Sequence, residues 1–293
     1  MTAHVTVGLD GSGESLAAAS WAAREAVVRG LPLHLVHVEE WPAAPGMPYP
    51  VASYAAERSA GLLRDVAEQA RADHPGLEVS TEGARGRAAQ ILRRVADESD
   101  LTVLGSRGLG GLAGFLTGSV SLAVVGGSGR PVVLVRADEA ALPAAAPARE
   151  PSAGEILVGA DLAHPDASVF AFAFEEAALR GAALRVRHCW TLPGPAAYAI
   201  VADPGIGDMV GQRTAHALTE LVRPWRARYP GVQVTDEAVV GAAAVQLVEA
   251  SKGADLVVVG RRRRKVPLGP HLGHVAHAVI HHCAAPVCVV PSG

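Results

Sequence analysis

Aromatic residues make up only 4% of this 293-residue chain, and cysteine occurs three times. With so few rings, the cores must be built from Ala, Val and Leu, and the hydrophobic fraction of 49% is enough to build them. Cys189, Cys283 and Cys288 form no CxxC pair and lie within or just after apolar stretches. That argues against a disulfide framework and fits a reducing compartment. An excess of one charge is missing too: 26 Lys and Arg stand against 29 Asp and Glu, a net charge of −3. No global field therefore draws the chain to nucleic acid or to an anionic membrane. No run of about 18 uncharged apolar residues is present, so no membrane span is expected. The opening MTAHVTVGLD has no basic segment followed by a long apolar run, which argues against a signal peptide and for a cytoplasmic protein.

What the chain does have is a repeat. HVTVGLDGSGESLAAASWAAREAVVRGLPLHLVHV, from His4, superposes without a gap on EILVGADLAHPDASVFAFAFEEAALRGAALRVRHC, from Glu155. Asp10 falls on Asp161, Gly30 on Gly181 and His37 on His188. SDLTVLG (from Ser99) matches ADLVVVG (from Ala254), and RPVVLV (from Arg130) matches APVCVV (from Ala285). The Ala- and Pro-rich ADEAALPAAAPAREPSAG between the copies reads as a linker. The expected organisation is a first domain over residues 1–137, a linker over 138–153 and a second domain over 154–293.

In each copy, short apolar runs alternate with helical patterns. In the first, strands are expected at Val5–Leu9, Leu33–Val38, Leu77–Thr81, Leu101–Gly105 and Val132–Val135, and helices at Glu14–Arg29, Tyr54–Ala72, Arg87–Glu98 and about Val120–Gly126. Continuously apolar strands such as LTVLG are those of a parallel sheet covered on both faces. The alternation implies right-handed βαβ crossovers, hence an α/β fold of two tandem doubly wound domains. Each is expected to hold a five-stranded parallel sheet of order 3-2-1-4-5.

In such sheets ligands bind beyond the carboxyl ends of the strands, where the strand order reverses, here between strands 1 and 4. Strand 1 is followed by Asp10-Gly11-Ser12-Gly13, and strand 4 by GSRGLGGLAGFLTGSVS. Five glycines (Gly108, Gly110, Gly111, Gly114 and Gly118) follow Gly105 before the helix near Ser119. Glycine lets backbone amides approach a phosphate without a Cβ in the way, and Gly118-Ser119 directly precedes a helix start. The plainer alternative is a surface loop with Ser119 as an ordinary cap. The Walker A lysine is absent. Asp10 before Gly-Ser-Gly also fits a turn or cap, although its place at the switch point favours ligand contact. Arg85 and Arg107 are either phosphate or ribose neighbours or solvated loop arginines.

Gly105-x2-Gly108-x9-Gly118-Ser119 resembles the ATP-binding signature of the universal stress protein family, and VGLDGS and RPVVLV are similar to that family as well. The duplication resembles its tandem-domain actinobacterial members. The resemblance implies a Rossmann-like fold in which Asp10 and the backbone at Val38 meet ribose and adenine. Gly105, Gly108, Gly118, Ser119 and Val120 would wrap ribose and phosphates, with Gly8, Leu9 and Leu104 beside them. The implied cofactor is ATP, with Mg²⁺ carried largely by the phosphates.

The second copy departs from the signature. Asp161, Gly260 and Gly273 are kept, but Arg263 replaces the second glycine and His274 the Ser/Thr. Arg263 could block the site or supply a guanidinium to phosphates. The run Arg261-Arg262-Arg263-Arg264-Lys265 raises nucleic acid or an acidic partner, but the chain as a whole is neither basic nor aromatic enough. His274, His277 and His281 share one helix face, as metal ligands could, yet no recognised metal motif includes them. No nucleophile–base pair or metalloprotease motif calls for catalysis. The expected function is nucleotide-dependent regulation under stress; a slow ATPase and a scaffold with vestigial sites are the rivals. Strand 5 ends each copy as an apolar edge. The family resemblance implies that such edges pair, so Val132–Val135 and Val287–Val290 are expected to meet as an intrachain pseudo-dimer. Sedimentation at several concentrations would test for a further homodimer.

Overall fold

The computed structural model describes residues 3–40, 49–106, 118–137, 154–191, 204–261 and 272–292, with backbone alone for 49–55 and 204. The chain divides into two compact units, which fall among the described residues on either side of 138–153.

The first unit runs β1 (Val5–Leu9), α1 (Gly13–Arg29), β2 (Leu33–Glu39), α2 (Tyr49–Asp73), β3 (Val79–Arg85), α3 (Ala88–Glu98), β4 (Leu101–Gly105), α4 (Ser119–Gly127) and β5 (Val132–Val135). Its strands lie in the order β3-β2-β1-β4-β5, and every neighbouring pair is parallel. The second unit runs β6 (Glu155–Ala160), α5 (Ala167–Arg180), β7 (Ala183–Trp190), α6 (Pro204–Arg228), β8 (Val234–Val240), α7 (Ala243–Ala250), β9 (Leu256–Arg261), α8 (His274–His282) and β10 (Val287–Pro291). Its order is β8-β7-β6-β9-β10, again parallel throughout. Both are the expected 3-2-1-4-5 order.

Central strands are buried because helices cover both faces of each sheet; every residue of β1 is buried. Local chemistry sets where helices start and stop. Ser12 caps α1 by accepting from the Ser15 amide, and Gly30, left-handed at φ 63°, closes it by donating to the Ala26 and Val27 carbonyls. Asp166 and Gly181 do the same for α5. α1 buries five alanines, Ala18, Ala19, Ala22, Ala23 and Ala26, together with Trp21. α5 instead buries Phe170 and Phe174, which stack on Trp225 at 6.1 and 5.8 Å.

Two elements differ from expectation by more than one residue at a boundary. β3 starts and ends later than Leu77–Thr81, because the Leu77 amide closes a turn on the His74 carbonyl and the polar TEGAR segment then pairs with β2 as far as Glu39. α2 begins at Tyr49 rather than Tyr54, with Pro50 in the first turn, where its missing N–H would have had no helical partner. Among the described residues no helix is long and apolar enough to cross a membrane.

Candidate functional site

In the first unit the carboxyl ends of β1 and β4 carry two polar arrangements. Past β1, the Asp10 Oδ1 accepts from the Ser12 amide at 2.9 Å and from the Ser12 hydroxyl at 2.5 Å. Ser12 Oγ accepts in turn from the Ser15 amide at 3.2 Å. Asp10 therefore orients the cap without being the cap. Gly11 allows the turn, holding φ 81°, a left-handed conformation that side chains disfavour.

Past β4, a β-carbon built on Gly105 would lie 2.7 Å from the Glu14 carbonyl carbon, so the strand end touches the backbone of α1. The Ser121 hydroxyl donates to the Gly105 carbonyl at 3.0 Å and ties the first turn of α4 to the same point. Gly118 precedes α4 with no side-chain cap, and among the described residues the nearest atom to a β-carbon built on it is Ser121 Oγ at 3.8 Å. The first helical bond runs from the Leu122 amide to the Gly118 carbonyl, so the amides of Ser119, Val120 and Ser121 precede the ladder. Ser119 is exposed.

The other expected site residues fall around this point. Gly8 and Leu104 pack on each other in the core, a β-carbon on Gly8 meeting Leu104 Cδ2 at 2.6 Å, and Leu9 is buried. Val38 pairs with Ala84 on β3. Gly108 and Arg107 lie outside the described residues, as does Arg263 of the second copy. Arg85 donates to Glu39 at 3.1 Å, an ion pair within the first unit.

Sequence reasoning gave no role to His37. Its Nδ1–H donates to the Leu9 carbonyl at 2.8 Å, pinning the strand end immediately before Asp10. His188 makes the equivalent bond to the Ala160 carbonyl at 3.0 Å. The coincidence of the two histidines in the repeat was the available signal.

The second unit has a different entrance. Asp161 Oδ1 accepts from the Ala163 amide at 3.0 Å, and α5 starts only at Ala167, three residues later in the repeat than α1. Pro165 explains the delay, since the residue before a proline is pushed out of helical geometry and Asp166 becomes the cap. A β-carbon on Gly260 would meet only the Val169 side chain, at 2.9 Å. Gly273 precedes α8 with no side-chain cap, among the described residues no atom lies within 4 Å of a β-carbon built on it, and His274 is exposed. Cys189 stands where Val38 stands in the first copy, and burial, ahead of its charged neighbours, pushes its thiol above the usual range. His277 and His281 lie with ring centroids 4.3 Å apart, and among the described residues no group of three or more His, Cys, Asp or Glu could hold a metal ion.

The sequence pattern of the universal stress protein family matches this chain twice, over residues 1–136 and 153–291. The chain belongs to the universal stress protein family. A universal stress protein of Mycobacterium tuberculosis is 35% identical over 97% of this chain and 96% of its own length. One from Mycolicibacterium smegmatis is 33% identical over 98% and 96%. Among solved structures, a universal stress protein from Archaeoglobus fulgidus superposes with a TM-score of 0.71 at 18% identity, over 99% of this chain and 98% of that one, which shows the fold. The tandem arrangement of this universal stress protein is thus shared by relatives matched along nearly their whole length.

Proposed function

We propose that the chain is a cytoplasmic nucleotide-dependent regulatory protein of the stress response, with an ATP site in its first unit. The observation that carries this reading is the uncapped start of α4, tied through Ser121 to Gly105 beside the Asp10 turn. Amides without helical partners at the positive end of a helix favour a phosphate. Asp10 and the backbone at Val38 would meet ribose and adenine. Gly105, Gly108, Gly118, Ser119 and Val120 would hold ribose and phosphates, with Mg²⁺ carried by the phosphates. In the second unit Asp161, Gly260, Arg263, Gly273 and His274 would form a weaker or altered site. Binding is favoured over hydrolysis because Asp10 Oδ1 is already held twice by Ser12, as a positioned acceptor and not as a mobile base.

The test is mass spectrometry of nucleotide extracted from freshly purified protein, beside Gly118→Glu. Among the described residues a β-carbon at Gly118 meets nothing closer than 3.8 Å, and the new side chain puts a negative charge where phosphate would sit. ATP retained by the parent and lost or halved in the variant supports the site. No nucleotide on the parent, and no binding on adding ATP with Mg²⁺, removes it. Phosphate release that disappears in Asp10→Ala would establish the ATPase instead.

A further inference from the structure

Successive residues of a strand face opposite sides of the sheet, so His37 and Glu39 face away from the Val38 side chain. On their side, α2 leaves a groove of about 440 Å³ over β2 and β3. His37, Glu39, Thr81 and Gly83 line it from the strands, with Ser59 and Leu63 among the lining residues of α2. Leu63 is buried and gives the groove an apolar wall. At one end Glu39 accepts from the Ser59 hydroxyl at 2.7 Å and from Arg85 Nε at 3.1 Å. The Ser59 hydroxyl, and after it Arg85, hold this carboxyl below its usual range against the opposing effect of burial. Each carboxylate oxygen can accept a further hydrogen bond.

The repeat shows what the same place holds in the second unit. Trp190 stands in the column of Glu39, and counting back from HPGLEV and YPGVQV puts Gly211 in the column of Ala56. The indole sits beside that glycine, where an added β-carbon would meet Trp190 Cζ2 at 3.7 Å. Also on α6 and β8, Thr219 donates to Asp236 at 2.5 Å and Arg226 forms an ion pair with Asp236. The first unit has Arg64 and Thr81 in the columns of Thr219 and Asp236, and both line the open groove.

We propose that the groove of the first unit binds a flat aromatic molecule bearing an N–H donor, about the size of indole, whose ring takes the place filled by Trp190 in the second unit and whose N–H meets the Glu39 carboxylate. The site is separate from the proposed nucleotide contacts and does not depend on them.

Indole is the probe, titrated into the full chain with saturating ATP and Mg²⁺ and followed by saturation-transfer NMR on the ligand. Saturable binding near ~1 mM is expected of a ligand this small. Glu39→Gln should weaken it about tenfold, as expected for loss of a charge-assisted hydrogen bond. Glu39→Trp, which copies the second unit, should abolish it. Gly83→Leu fills the groove from β3, where the nearest atom to a new β-carbon is Leu63 Cδ1 at 3.8 Å, and should abolish it too. The second filled variant decides the matter if the first fails to fold. Absence of saturable binding up to ~10 mM, or binding unchanged in the filled variants, overturns the proposal. Retention of ATP by the filled variants separates failure of this site from failure of the nucleotide reading.

Discussion

The two units share a strand order and differ at one strand end. In the first, α1 begins four residues past Leu9 and its backbone lies against Gly105; in the second, the corresponding turn is unwound before Pro165, and Gly260 faces a valine side chain. The contrast teaches that one conserved glycine can have two reasons to be there. At Gly105 the neighbour is backbone, which cannot move without moving a helix. At Gly260 it is the tip of Val169, which can rotate.

The largest expected effect tests that distinction. Gly105→Val should destabilise the first unit by about 3 kcal/mol, while Gly260→Ala should cost under about 1 kcal/mol, both read by chemical denaturation. Equal losses would break the comparison. Next come the two histidine pins. His37→Leu and His188→Leu each remove one buried-end hydrogen bond and should cost about 1 kcal/mol. His37→Asn, which restores a donor near the Nδ1 position, should recover most of that stability. If His37→Leu alone also releases nucleotide, the pin serves the site as well as the fold. Third, Ser12→Ala and Asp166→Ala delete the two helix caps and should each cost roughly 1 kcal/mol or less, visible as faster amide exchange in the first turns of α1 and α5.

The smallest effect is a pH response of the Asp236 carboxyl in the second unit. Burial would raise the Asp236 carboxyl, but the Thr219 hydroxyl and the Arg226 guanidinium outweigh it and leave it below the usual range. A carboxyl lowered on folding stabilises the fold above its unfolded pKa, and that contribution is lost as pH falls through the folded value. Asp236→Asn should therefore shift the acid unfolding of the second unit by only a few tenths of a pH unit, because the pair is partly solvated. Thr81, its counterpart, does not titrate; in the first unit the carboxyl held low is Glu39, bonded by Ser59 and Arg85.

Most of the fold was legible because the repeat and the apolar runs agree: LTVLG reads as a strand covered on both faces and is buried up to its last glycine. β3 was misplaced because an edge strand such as VSTEGAR is solvated on one side and carries little apolar signal. The late start of α5 follows from His164-Pro165-Asp166, where the gapless match to the first copy does not carry over to the backbone. At the candidate site, Asp10, Gly105 and Gly118-Ser119 could be named from spacing. The role of Ser121 and the pinning by His37 could not, since each depends on a carbonyl brought near by packing. The groove is further still from legibility, because Glu39, Ser59 and Gly83 meet only once α2 has docked on the sheet.

The unequal use of aromatic rings has an optical consequence. Trp21 lies in α1, whereas Trp190 and Trp225 lie in the second unit, Trp225 stacked with Phe170 and Phe174. Replacing Trp21 and Trp41 by Phe would leave every remaining indole chromophore in the second unit. Emission and near-ultraviolet dichroism would then follow the melting of one half of the chain alone, and the difference from the parent spectrum would follow the other.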